Sequence, residues 1–308
     1  MDRVRLMYWC SNVLAGLQVP VFAAVEGGLF AEQGIEVEFV RGPTPDWTLR
    51  GFSARAKGVA AGDADFGLTS VAYLLAGHAD VGARLPVRFI AISHQRNPII
   101  GVVRAEGDLR EPADLGGARV ASWSMPWYAQ EYAGALAHLG VEPPVLVETG
   151  GRDLDGALGD REIDVIPVTM DWMTFYDRTT VCPVRIIRLD VPVYTTGLVA
   201  SDRLPLDLVT RMRNAFVAGH DLHRRRPELG IAAFRRRFPQ ISEEHIRRNW
   251  SLFEPYAFDG PQPGSMDAGR WEETAAYMAA THHLPPFPAE ELYRPELLSR
   301  PREHAAIY

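Results

Sequence analysis

Four groups of side chains carry the functional options in this chain. His94 and Arg96 stand two positions apart. Together they offer an imidazole that titrates near neutrality and a guanidinium that can grip a carboxylate through two parallel hydrogen bonds. A surface or hinge histidine is the plainer reading. Cys10 would act as a nucleophile only with a lowered pKa and a base at hand, and is otherwise a buried, inert thiol. Thr69-Ser70 and Ser122-Trp123-Ser124 place hydroxyls just ahead of helical sequence. There they can join free backbone N–H groups in holding an anion, or simply cap their own helices. Asp171 offers a carboxylate to a ligand or an N-cap to the next turn. Trp9, Trp47, Trp123, Trp127 and Trp172 would give flat apolar walls to an aromatic or heterocyclic ligand, or ordinary core packing.

The elements that must position these groups follow from the hydrophobic pattern. Val4–Trp9 reads as a short strand, Gln18–Gln33 as a helix ended by Gly34, and the strictly alternating Ile35–Val40 as a second strand. The order strand, helix, strand is the unit of a parallel sheet. It recurs with strands at Ala64–Leu68, Val87–Ile92, Arg119–Ser122 and Ile163–Val168, and helices at Val71–Gly77 and Met125–Leu139. The alternation predicts parallel sheets covered by helices on both faces. Beyond Leu206 the chain turns helical: Leu206–Arg226, Leu229–Phe238, Glu243–Leu252 and Ala268–Thr281, with a loop at Pro261–Gly264. His282-His283, ahead of Pro285-Pro286, reads as a terminal loop with no assigned role.

Composition narrows the function classes. The chain has 308 residues, 47% of them hydrophobic, enough for two ordinary cores. A net charge of −7 argues against a nucleic-acid partner, and the Arg224–Arg226 and Arg235–Arg237 runs read as solvated helix faces. Neither Cys10 nor Cys182 belongs to a metal-ligand spacing, so no metal or cofactor is expected, and their pairing stays open. No stretch reaches the roughly 18 apolar residues of a membrane span. The N-terminus lacks a leader-like apolar run, so the expectation is a cytoplasmic protein as written, or a periplasmic or extracellular one if a leader has been removed.

The segment from Trp9 through Val19-Pro20-Val21-Phe22-Ala23-Ala24-Val25-Glu26-Gly27-Gly28-Leu29-Phe30-Ala31-Glu32-Gln33-Gly34-Ile35-Glu36-Val37 resembles the opening signature of nitrate/sulfonate/taurine-type solute-binding proteins of ABC transporters. Three further stretches resemble later motifs of that family, in order: Ala61–Gly67, Asp114–Ala121 and Ala157–Val165. The resemblance implies a two-lobed α/β fold of the type II periplasmic-binding-protein class. It places lobe one at residues 1–99 plus 196–308 and lobe two at 100–195, with hinge crossings near Ile99–Arg104 and Asp190–Gly197. The ligand, a small organic anion, would lie between the lobes at the strand ends. The implied cleft residues are Trp9, Cys10, Asn12, Trp47, Thr69, Ser70, His94 and Arg96 from lobe one, and Ser122, Trp123, Ser124, Thr169, Asp171 and Trp172 from lobe two. An ABC permease is the implied partner. The same fold serves cytoplasmic enzymes resembling thiamine-pyrimidine synthase, aromatic desulfinases and decarboxylases. On that alternative the chain is a lyase with His94 and Cys10 as its catalytic residues.

Overall fold

The computed structural model describes residues 1–8, 15–43, 48–123, 126–150, 153–170, 182–259 and 262–298. The first sheet is built from β1 (Asp2–Tyr8), β2 (Ile35–Arg41), β3 (Phe66–Ser70), β4 (Val87–Ile92) and β10 (Thr196–Ser201), in the order β2-β1-β3-β10-β4. β1 pairs in parallel with β2 along its whole length, Asp2 opposite Ile35 through Tyr8 opposite Arg41, and in parallel with β3. The expected all-parallel sheet is corrected at β10, which runs antiparallel to both β3 and β4. This strand returns after the strands of the second region and closes the gap between β3 and β4. No local pattern in its sequence encodes that direction.

The second region carries β5 (Ile99–Arg104), β6 (Arg119–Trp123), β7 (Val145–Gly150), β8 (Ile166–Thr169) and β9 (Val184–Arg188). They form an antiparallel trio, β8-β5-β9, and a parallel pair, β6-β7. An isolated parallel bridge from Val120 to Val165 joins the two. Asp164 fastens the base of this region. It accepts from the Arg119 backbone N–H (3.0 Å) and from its guanidinium (2.9 and 3.0 Å).

Helices α1 (Ala15–Glu26), α3 (Leu49–Ala61), α4 (Val71–Val81), α5 (Pro126–His138) and α6 (Leu154–Gly159) follow strands, and the short α2 (Leu29–Glu32) follows α1. The long helix expected over Gln18–Gln33 is two, broken at Gly27-Gly28, where Gly28 takes φ 76°. That left-handed geometry is natural to glycine and stops α1 before α2 can continue it. The C-terminal set is α7 (Leu206–Arg225), α8 (Pro227–Arg237), α9 (Glu243–Ala257) and α10 (Ala268–Thr281). α1 packs against α7, α8 and α9. One large apolar core runs from Val4, Leu6 and Phe66 through Phe89 and Trp271 to Val120 and Tyr132, and a smaller one fills the second region around Ile100, Ile166 and Val168. Cys182 is a free, half-buried thiol. Among the described residues no helix is long and apolar enough to cross a membrane, and no cluster of side chains could hold a metal ion.

Candidate functional site

The carboxyl ends of β1 and β2 lie side by side, because the strands are parallel and in register. Arg55, from α3, is laid across them. A Cβ at Gly42 would stand 3.1 Å from Arg55 Nε and 3.1 Å from the Tyr8 carbonyl oxygen, so a glycine spares the guanidinium a tight contact. Arg55 is 1% exposed, and its Cζ lies 5.5 Å from the centre of the Phe52 ring, within cation–π range. Guanidinium groups are the side chains best suited to buried pairing with carboxylate-like or phosphate-like anions.

The helix that carries it was not expected from the sequence, although its signals are present. The Thr48 hydroxyl accepts from the Gly51 N–H (2.9 Å) as an N-cap, and Phe52, Ala56 and Val59 recur at helical spacing. Phe52 stacks on Tyr73 of α4, with ring centres 4.9 Å apart and planes 15° from parallel. Trp127, at the start of α5, meets both rings edge-on, at 5.9 and 5.7 Å. Tyr128 lies 3.8 Å from Trp127 and shares a hydrogen bond of 3.3 Å with Thr169 at the end of β8. The cation and the aromatic set therefore draw on α3 and α4 beside the first sheet and on α5 beside the second.

The strand-end residues singled out by sequence fall around this group in different ways. Thr69 is 1% exposed and its hydroxyl has no hydrogen-bond partner; Ser70 caps α4 through its backbone position without a side-chain bond. The first α4 amide, Val71 N–H, donates to the Thr195 carbonyl (2.7 Å), so the protein itself occupies that donor. Ser122 is buried, and its carbonyl accepts from the Thr149 hydroxyl at 3.0 Å. A register shift between Ser122 and Trp123 pairs Trp123 with Gly150, which takes φ 58°. Such a bulge re-aims the strand end.

His94 and Arg96 face different partners. The His94 ring packs edge-on to Phe253 at 4.6 Å and lies 6.2 Å from Tyr256, and burial together with nearby His220 pushes its pKa down to about 3. It is held neutral. Arg96 donates from Nε to Asp259, and that carboxylate raises its pKa further. Gln95, between them, donates to the Ser265 carbonyl at 3.0 Å. Trp9, Cys10, Asn12, Trp47, Ser124, Asp171 and Trp172 lie outside the described residues, as does the side chain of Trp123.

A buried cation thus stands beside the packed rings of Phe52, Tyr73 and Trp127. Comparisons with known proteins bear on the frame around it. The family model described as NMT1/THI5 like matches residues 18–228, more than half of the chain. Among solved structures the chain is similar to the periplasmic aliphatic sulphonate-binding protein SsuA of Escherichia coli, at 12% identity and TM-score 0.68, over 96% of this chain and 92% of that one. It is equally similar to the SsuA sulfonate-binding protein of Methylobacillus flagellatus, at 16% identity, TM-score 0.68 and the same coverage. A DSZB variant in complex with biphenyl-2-sulfinic acid matches at 16% identity and TM-score 0.59, over 96% of this chain and 98% of that one. No curated protein sequence matches the chain. The family motifs read from the sequence and the two-lobed α/β frame agree with these matches: the chain belongs to the NMT1/THI5-like family and has the type II periplasmic-binding-protein fold.

Proposed function

We propose that the chain is a solute-binding protein that captures a small organic anion with an aromatic or heterocyclic body between two lobes, residues 1–99 plus 196–308 and residues 100–195. The observation that carries this reading is the Arg55 guanidinium, 1% exposed at the ends of β1 and β2, beside an aromatic group assembled from helices of both regions. A planar guanidinium suits the two oxygens of a carboxylate, sulfonate or sulfinate, and edge-and-face aromatics suit a flat ring. Helices that come from opposite sides of the cleft meet when the lobes close, and closure around ligand is how such a fold commits to its solute. On this solute-binding reading the partner that receives the ligand is an ABC permease.

The test is native mass spectrometry and calorimetry of the protein with a panel of aryl carboxylates, sulfonates and sulfinates beside neutral and cationic aromatics. We expect an aryl anion to be retained unchanged, and neutral isosteres to bind at least tenfold more weakly. Equal binding of neutral or cationic aromatics would sink the reading. Consumption of a sulfinate or carboxylate, with sulfite or carbon dioxide released, would instead make the chain a lyase. The fold similarity to the biphenyl-2-sulfinic acid complex is what motivates that arm. Under that outcome Cys10→Ser and His94→Ala should each abolish turnover.

A further inference from the structure

One stripe of α5, Trp127, Glu131, Gly134 and His138, repeats at the spacing of a single helix face. It meets elements that surround the first sheet. Trp127 reaches Phe52 and Tyr73. Gly134 lies so close to Thr281 that a Cβ would stand 2.3 Å from its Oγ1. His138 packs edge-on to Tyr277 at 5.9 Å. Glu131 Oε2 lies 3.9 Å from His282 Nε2, with side chains 7% and 0% exposed. The seam is tied to the chain crossings: Asn97 Nδ2 donates to the Tyr277 hydroxyl (3.2 Å), which donates to the Glu131 carbonyl (3.3 Å), while the Asn97 N–H donates to the Val191 carbonyl (2.9 Å).

A buried ion pair repays its desolvation only when the contact is close and the remaining polar atoms are satisfied. Neither condition holds here. The contact is long for a charge-assisted hydrogen bond, and neither ring nitrogen of His282 has a hydrogen-bond partner. The other polar or titratable groups around the pair are Asn97, Tyr277, Thr281, His283 and, on α5, His138. Among the described residues no arginine or lysine lies within ion-pair distance of Glu131. The neutral arrangement wins, with the proton on the carboxyl. Burial accordingly pushes Glu131 up to about 7 and His282 down to about 4.

We propose that Glu131 and His282 share one proton across this seam, held on the carboxyl while the seam is shut and passed to the imidazole when it opens and water enters. The proton leaves a Glu131 carboxyl oxygen and joins a His282 ring nitrogen, and the net charge of the pair does not change. Between the ordinary values of 4.5 for the carboxyl and 6.5 for the imidazole, the pair binds one proton in both states. Opening and closing then exchange no proton with solvent, and ligand capture is insulated from pH. This last step rests on the cleft being the ligand site.

Each single variant should expose one half of the cancellation. In Glu131→Gln, His282 is neutral when shut and protonated when open below its ordinary value, so closure releases a proton and weakens as pH falls. In His282→Gln, Glu131 is neutral when shut and ionised when open, so closure takes up a proton and weakens as pH rises to about 7. Thermal unfolding of the wild type, both single variants and the double variant across this range tests the pair without any ligand, because unfolding also hydrates both groups. Relative to the double variant, the two singles should slope in opposite senses and the wild type should be flat. Calorimetry with benzenesulfonate, at about pH 5.5 in two buffers of different ionisation heat, reads the same cancellation on binding. We expect no net proton in the wild type, release approaching one in Glu131→Gln and uptake approaching one in His282→Gln. Slopes of the same sign, or singles as flat as the wild type, would overturn the proposal. Failure of benzenesulfonate to bind would count against the anion-binding reading, while the unfolding series still decides the pair.

Discussion

Arg55 shows how much a single residue depends on its neighbours. A guanidinium stripped of bulk water is stabilised by an anion far more than an exposed one is, because the attraction is not screened. Truncating one partner of a buried, hydrogen-bonded charge pair costs about 2–5 kcal/mol, so Arg55→Gln should weaken capture of an aryl anion on the order of 100-fold. Arg55→Lys should recover little of this, since a point charge cannot reproduce two parallel hydrogen bonds. Calorimetric titration beside an unfolding curve for each variant separates lost binding from lost fold. The same reasoning explains the other charged candidate. With 42% of its side chain exposed, Arg96 has its charge screened by water.

At the scale of elements, the antiparallel β10 holds the first sheet together, and Gly197 lets it sit there. A Cβ at this position would stand 2.2 Å from the Ala91 carbonyl oxygen, a backbone atom with no rotamer to escape into. Gly197→Ala should therefore destabilise the protein by about 1–3 kcal/mol, seen as a lower denaturant midpoint with an unchanged slope. An unchanged midpoint would mean that the strands slide apart at no cost. Most of this layer was legible in the sequence. The strands at Ile35–Arg41 and Val87–Ile92 and the four C-terminal helices announce themselves through alternation or helical periodicity, which are local properties. β5, β7, β9 and β10 were missed as strands. Their runs are short, and their pairing partners lie far away in sequence.

For the molecule as a whole, three buried histidines make the fold sensitive to acid. His94 follows β4 and His220 and His223 lie on α7; they stand edge-on to Phe253, Phe216 and Trp250 respectively. Burial is the first cause that drives their values down, to about 3, about 4 and about 3. The folded state thus refuses protons that the unfolded chain accepts below 6.5, so stability is full above that value and falls as pH drops towards 4. His223→Phe removes one such group and keeps its shape. It should reduce the acid slope of stability by up to about 1.4 kcal/mol per pH unit, measured by denaturant unfolding between pH 4.5 and 6.5. An unaltered slope would show that His223 takes up its proton without unfolding. Saturation with an aryl anion should raise stability at every pH in this range, by about 2.7 kcal/mol at a hundredfold excess over Kd.

The sequence by itself determined the alternating strand–helix order, the helical C-terminal third and the family to which the chain belongs. Each of these is written in neighbours a few residues apart or in motifs that recur in order. It also marked Thr69, Ser70, Ser122 and Thr169 as strand-end residues, because a residue at the end of a strand and the start of a helix is visible as such. Only the tertiary structure decided which charge matters. Arg55 is the proposed anion site because the ends of β1 and β2, at Tyr8 and Gly42, come to lie against a later helix. His94 and Arg96, two positions apart, are drawn to Phe253 and Asp259 by packing that no local pattern announces. The proton shared by Glu131 and His282 has the same origin: a carboxyl and an imidazole 151 residues apart in sequence meet where two helices close out water.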